Sequence, residues 1–199
     1  MSEITDPETL LEGLFDTLRQ AATTPGAAMR TAVLANLVDH QPSARHVVLR
    51  YFDAARRLLA CHTDIRSAKV SGLHASSRVQ WLFFNPGDSV QLRLSGPATL
   101  ERDGPLWDRL WAEATPAART GYLVEPGPGT ALATRTTGLP DTLWSRDASD
   151  KEATAGRVNF AALVCKFDAL DWLELGRYGH GRAQFRWDDE NLTASWVVP

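Results

Sequence analysis

The sequence predicts a mainly β domain, a small antiparallel barrel with helices at its edges. Short apolar runs recur along the chain, separated by turn chemistry such as Asn85-Pro86-Gly87-Asp88 and Asp188-Asp189-Glu190-Asn191. In the clearest run Val90, Leu92 and Leu94 alternate with Gln91, Arg93 and Ser95, the period of a strand with one face in a core and the other outside. Helical periodicity is confined to one segment at the start, a short stretch after Ser67 and an insert near the middle.

Taken in order, Thr5 to Ala22 reads as a helix within an N-terminal segment of residues 1–26. Asp6-Pro7 offers an N-cap followed by proline at the first helical position, and Thr5 to Glu8 has capping-box spacing. Leu10, Leu11, Leu14, Phe15 and Leu18 share one stripe, and Thr23-Thr24-Pro25-Gly26 stops the helix. Strands are expected over Thr31–Leu37, Ala44–Tyr51 and Leu58–Thr63, with Val38–Ser43 as a loop and Asp53–Arg57 as a turn. A short helix follows at Ser67–Ala75. Strands come next at Arg78–Phe84 and Ser89–Glu101, then a helical insert over 105–121. Residues 123–156, rich in Gly, Pro, Thr and Asp, read as a long loop, longer than an ordinary connection. Strands return at Phe160–Phe167, Leu170–Leu175, Arg182–Trp187 and Leu192–Val198. The whole of 1–199 reads as a single domain.

Composition narrows the function classes. With 199 residues, 44% apolar and 23% charged, the chain supports one full core. A net charge of −3 argues against nucleic acid as a partner. No apolar run approaches the ~20 residues of a membrane helix. The acidic N-terminus lacks the pattern of a secretory signal, and the two cysteines, Cys61 and Cys165, each sit in an apolar run. Both features point to buried thiols in a cytoplasmic protein. His40, His46, His74 and His180 have no metal-type spacing with one another or with a cysteine.

The chemistry concentrates in Arg45–Lys69. Arg45-His46-Val47-Val48-Leu49-Arg50 is an apolar strand with a cation at each end. His62-Thr63-Asp64-Ile65-Arg66-Ser67-Ala68-Lys69 gathers hydroxyls and cations at a helix start. Hydroxyls, cations and free N–H groups at a helix N-terminus are what a phosphate needs. Arg45 and Arg50 have opposite parity, so both serve one ligand only if a bulge, a strand end or a second subunit intervenes.

With these pieces in view, the chain resembles the pyridoxamine 5′-phosphate oxidase-like FMN-binding split-barrel family, and within it the Alr4036-type subgroup. The segments carrying the resemblance are Arg45–Arg50, His62–Lys69, Ser77-Arg78-Val79 leading into Trp81–Phe84, Gln91 opening Gln-Leu-Arg-Leu-Ser-Gly, Leu170–Leu175, His180–Phe185 and Trp196–Pro199. The resemblance implies FMN held between the subunits of a homodimer. It implies that Arg45, His46, Val47, Val48, Leu49 and Arg50 line the flavin, with Arg50 in a lysine position. His62 and Thr63 stand for a Tyr-Thr pair, and Ser67 and Lys69 for a phosphate-binding Ser-Arg-Lys in which Ala68 replaces the arginine, leaving Arg66 to compensate. Gln91 corresponds to a glutamine at the ring, and Arg182 to a late arginine. Leu173 stands where the vitamin B6 oxidases have a tryptophan, and Tyr178-Gly179-His180 lacks the arginine of their substrate motif. The resemblance therefore implies an FMN-dependent oxidoreductase acting on another small molecule, ahead of vitamin B6 oxidation. A non-catalytic flavin binder and a haem binder on the same barrel remain the rival readings.

Overall fold

The structure is a computed structural model describing residues 6–199. Helix α1 covers Pro7–Thr23. The Asp6 carboxylate accepts N–H bonds from Glu8 and Thr9 at 3.2 and 3.1 Å, satisfying two of the donors every helix start leaves open. The capping box expected from Thr5 lies outside the described residues. Leu10, Leu11, Leu14 and Leu18 are buried, and Phe15 packs its ring against Phe52 and Phe167.

Strands β1 (Thr31–Val38) and β2 (Gln41–Val48) form a hairpin in register from Thr31 opposite Val48 to Val38 opposite Gln41. The expected Val38–Ser43 loop is in fact a two-residue turn, Asp39-His40, with φ of 50° and 60°. The proline at 42 reads as a breaker in sequence. It is tolerated because β2 is an edge strand, where a missing N–H costs no ladder bond. Next come β3 (Tyr51–Asp53), β4 (Leu58–Asp64), α2 (Ala68–Ala75), β5 (Arg78–Asn85) and β6 (Val90–Glu101). The insert supplies α3 (Gly104–Glu113) and α4 (Pro116–Thr120), and α5 is Asp150–Ala153. The last strands are β7 (Phe160–Lys166), β8 (Ala169–Glu174), β9 (Gly181–Asp188) and β10 (Asn191–Trp196).

All ladders are antiparallel. Their order is β10-β9-β8-β6-β5-β1-β2, and β6 forks: Val90–Ser95 lie against β8, while Ala98–Glu101 lie against β7. β7 continues to β4, and β4 to β3. The barrel is split rather than closed, because no ladder joins β2 to β4 among the described residues. The chain itself spans the gap. It leaves β2, passes Leu49-Arg50 and enters β3, with Leu49 N–H donating to Arg30 O and Arg50 N–H to Ala60 O, both at 2.8 Å. Leu34, Leu49, Leu59, Trp81, Leu92, Leu94 and Phe185 are among the side chains filling the interior.

The 123–156 segment is more ordered than its composition predicts. It contains a 3-10 turn at Asp141–Leu143, helix α5 with a Ser149–Glu152 capping box, and the start of a 3-10 stretch at Thr154–Asn159. Leu143, Ala148 and Ala153 are buried in a second apolar cluster with Leu110, Trp111 and Phe160. Docking against the insert supplies the order that local propensity does not.

Candidate functional site

The break between β2 and β3 opens a cleft of about 440 Å³. Its lining comprises Arg45, His46, Val47, Val48 and Arg50 from β2 and the break, His62, Thr63 and Asp64 from β4, Lys69 from α2, and Ala118, Gly121 and Tyr122 from the insert. The strand end at Leu49-Arg50 resolves the parity conflict between Arg45 and Arg50. Beyond Val48 the regular alternation stops, so both guanidinium groups reach one cleft. The Leu49 side chain points the other way and is fully buried in the barrel core, so of Arg45–Arg50 it alone does not line the cleft.

At one end of the cleft lies a cluster of hydroxyls and amines. Lys69 Nζ donates to Thr63 Oγ1 at 3.1 Å and to Ser67 Oγ at 2.9 Å, while Ser67 Oγ donates to Asp64 O at 2.7 Å. An ammonium has three donors, so one remains. Helix α2 is pressed onto β1 at Gly72, where a Cβ would lie 2.0 Å from Leu37 O. Asn36 Nδ2 fastens it by donating to Lys69 O at 3.0 Å. Asn36 Oδ1 in turn accepts from Arg45 Nη1 at 2.5 Å, and Arg45 Nη2 donates to Ser43 Oγ at 2.7 Å. One buried amide thus holds both Arg45 and the backbone of Lys69.

Electrostatically the cleft favours an anion. Arg45, Arg50 and Lys69 form no ion pair among those resolved in the described residues, which is unusual for part-buried cations. Burial lowers the pKa of all three, and the Arg30 charge adds to the effect at Arg50. Buried atoms Arg50 Nε and His62 Nε2 lack hydrogen-bond partners. Burial first, then Arg50, brings His62 down to about 4, so its imidazole is neutral at physiological pH. Burial also raises the Tyr122 phenol, which stays protonated with its ring edge-on to Phe160 at 5.2 Å. Orphaned polar atoms beside unpaired cations are the complement of a phosphorylated, hydrogen-bonding aromatic ligand. These residues fit FMN. Cys61 lies behind the cleft and is inert, its thiol pushed up to about 12 by burial.

The remaining predicted site residues lie elsewhere. The Arg66 guanidinium turns outward, to Asp64 at 2.7 and 3.0 Å and to Glu125 at 2.8 Å. Gln91 and Arg182 do not line the cleft. They lie in one row across the sheet, Gln91 opposite Leu173 and Leu173 opposite Arg182, on the face away from the core. Arg182 is fixed there by Asp171 at 2.8 Å, which also binds Arg93 and Gln184. Sequence reasoning left out Asp64, Ala118, Gly121 and Tyr122 as lining residues. Asp64 sat within the singled-out stretch, but the other three are recognisable only once the insert is seen to fold back over β4. Among the described residues no group of three or more His, Cys, Asp or Glu is placed to hold a metal.

A split barrel with a cation-lined cleft beside its gap is the arrangement the structure defines, and comparison with known proteins finds the same fold class. The profile of the family described as "Pyridoxamine 5'-phosphate oxidase, FMN-binding domain" matches residues 13–101. This stretch, a little under half of the chain, is similar to the pyridoxamine 5′-phosphate oxidase-like FMN-binding family, the family that the sequence resemblance named. No curated protein matches the chain. Among solved structures, a pyridoxamine 5′-phosphate oxidase-related, FMN binding protein from Nostoc punctiforme is 22% identical, with a TM-score of 0.71 and 100% of each chain covered. PhzG from Burkholderia lata, solved with tetrahydrophenazine-1-carboxylic acid, is 14% identical, with a TM-score of 0.66, covering 100% of this chain and 95% of that one. A protein related to general stress protein 26, from Clostridium acetobutylicum, is 11% identical, with a TM-score of 0.53 and 96% of each chain covered. At these identities the likeness is one of fold.

Proposed function

We propose that the cleft binds FMN and that the protein is an FMN-dependent oxidoreductase, within the Alr4036-type subgroup, acting on a small molecule. The observation that carries this reading is the set of part-buried cations, Arg45, Arg50 and Lys69, with no ion-pair partner among the described residues, beside the orphaned Arg50 Nε and His62 Nε2. Lys69, Thr63, Ser67 and Arg45 bind the phosphate. Val47, Val48 and His62 flank the ring system, and Arg50 with Tyr122 borders its far end. When bound, the isoalloxazine supplies two-electron transfer. The protein positions it, balances the charge of its phosphate and keeps water from one face.

We also propose a homodimer. Gln91 and Arg182 are absent from the cleft of their own chain yet form a solvent-facing row, an arrangement in which a partner subunit supplies them to the ring edge. The PhzG structure, solved in complex with tetrahydrophenazine-1-carboxylic acid, supports a fused-ring carboxylic acid as a ligand class that this fold admits. We place the protein in the cytoplasm on its two free, buried thiols. Among the described residues no helix is long and apolar enough to cross a membrane.

The test is the visible spectrum of protein purified without added cofactor, followed by anaerobic addition of NADH or NADPH. Flavin absorption that bleaches on reduction and returns with oxygen supports the oxidoreductase reading. Flavin absorption that no donor bleaches points to a non-catalytic binder, and a Soret band to haem.

A further inference from the structure

Arg66 sits one turn from the proposed phosphate site, yet its charge is directed away from it. Its Nε and Nη2 grip the Asp64 carboxylate, the one carboxylate in the cleft lining, and so cancel a negative charge facing the ligand. Its Nη1 reaches across to Glu125, three residues beyond Tyr122. Gly127 packs on the arginine stem so closely that a Cβ there would lie 3.2 Å from Arg66 Cβ, Cδ and Nε. Nearby, Asn159 accepts Ile65 N–H at 2.9 Å and donates to Tyr122 O at 2.9 Å. The stretch carrying Tyr122 is therefore anchored on one side by Asn159 and Phe160. On the other side its one charged contact is with Arg66, through a Glu125 side chain that is 73% exposed, beside the Gly127 packing and a backbone bond from Glu125 N–H to Gly138 O at 2.7 Å.

We propose that Arg66 is a positioning residue, a clasp that holds the 122–127 segment, and with it the Tyr122 wall, closed against the β4 side of the cleft while neutralising Asp64. This proposal rests on the reading that the cleft holds a ligand. It gives Arg66 a different task from phosphate binding. An ion pair with one exposed partner opens and closes readily and weakens with salt, so the clasp sets how fast a ring-bearing ligand leaves without touching the phosphate site.

The test uses Glu125→Gln, which breaks the clasp while leaving Asp64 paired, with Arg66→Lys as the conservative variant. Hydrogen exchange of the apoprotein is read at the amides of residues 122–125 and 127. Exchange in Glu125→Gln is expected to rise about two- to five-fold, the range for a half-exposed ion pair. Raising salt to about 0.5 M should bring the wild type up to the variant while leaving the variant unmoved. Arg66→Lys, which cannot fork to both carboxylates, should fall between them. FMN dissociation should accelerate by the same factor in Glu125→Gln, with competition by inorganic phosphate unchanged. Equal exchange in wild type and Glu125→Gln, or an equal FMN off-rate, would overturn the clasp. If the wild type bound no FMN, the reading of the cleft would fall, and the exchange comparison alone would still decide whether the clasp exists.

Discussion

Replacing Lys69 with methionine should separate binding from stability, because the two respond to this residue with opposite sign. Among the described residues Lys69 bonds only to Thr63 and Ser67, which leaves one of its three donors, and no carboxylate pairs with it. Losing a charge-assisted bond to phosphate costs ~1.5–3 kcal/mol, or about 10- to 150-fold in FMN affinity. The apoprotein should behave differently. Burial lowers the pKa of Lys69 from 10.5, so the folded state holds its proton less firmly than the unfolded chain does. At neutral pH the charged amine is therefore a cost to folding, and the methionine variant should be at least as stable as the wild type. The same sign predicts that wild-type FMN affinity declines as pH rises toward 10.5, with onset below the ordinary lysine range, and that the variant lacks this phase. Flavin fluorescence titration gives the affinity, and urea unfolding of the apoprotein the stability. Affinity within about two-fold of wild type, or a loss of apoprotein stability matching the loss in binding, would refute the argument.

His62 makes acid stability testable. Its folded pKa of about 4 lies below its ordinary 6.5, so between these values the unfolded chain takes up a proton that the fold excludes. Stability should be intact above about 6.5 and fall by ~3 kcal/mol as pH drops toward 4, with a flatter profile for His62→Gln in urea melts. Gly72→Ala should cost ~1–3 kcal/mol by driving α2 off Leu37 O, outweighing the ~1 kcal/mol gain in helix propensity, and should weaken FMN binding by displacing Lys69; a thermal melt paired with a flavin titration checks both effects. If each site joins Lys69 of one subunit to Gln91 of the other, mixing Lys69→Met and Gln91→Ala subunits should restore one wild-type FMN site per mixed dimer. Recovered high-affinity binding at about a quarter of all sites in an equal, freely exchanging mixture, half of those in the mixed dimers, is the expected result, and no recovery would argue against a shared site.

Alternation and turn chemistry were enough to read most of the barrel. Leu92 and Leu94 face inward as their spacing implies, and β7 to β10 lie within a residue or two of expectation. What the sequence hid was tertiary in origin. Pro42 reads as a breaker unless β2 is known to be an edge. The 123–156 segment reads as loop because its Gly and Pro content conceals three residues, Leu143, Ala148 and Ala153, that bury themselves only against Trp111 and Phe160. The candidate site divides in the same way. Thr63, Ser67 and Lys69 meet because they are close in sequence and a helix begins between them. Arg45 and Arg50 meet only because the strand breaks at Leu49, which parity counting cannot see. Tyr122 reaches the cleft through the fold of the insert. Gln91 and Arg182 share a row only through the β6-β8-β9 register.

The most direct measurement compares FMN with riboflavin on the apoprotein. The account predicts that FMN binds at least about 100-fold more tightly, since the phosphate engages Lys69, Thr63, Ser67 and Arg45 together, and that most of this margin disappears in Lys69→Met. Equal affinity for the two flavins, or a margin that Lys69→Met leaves intact, would contradict it.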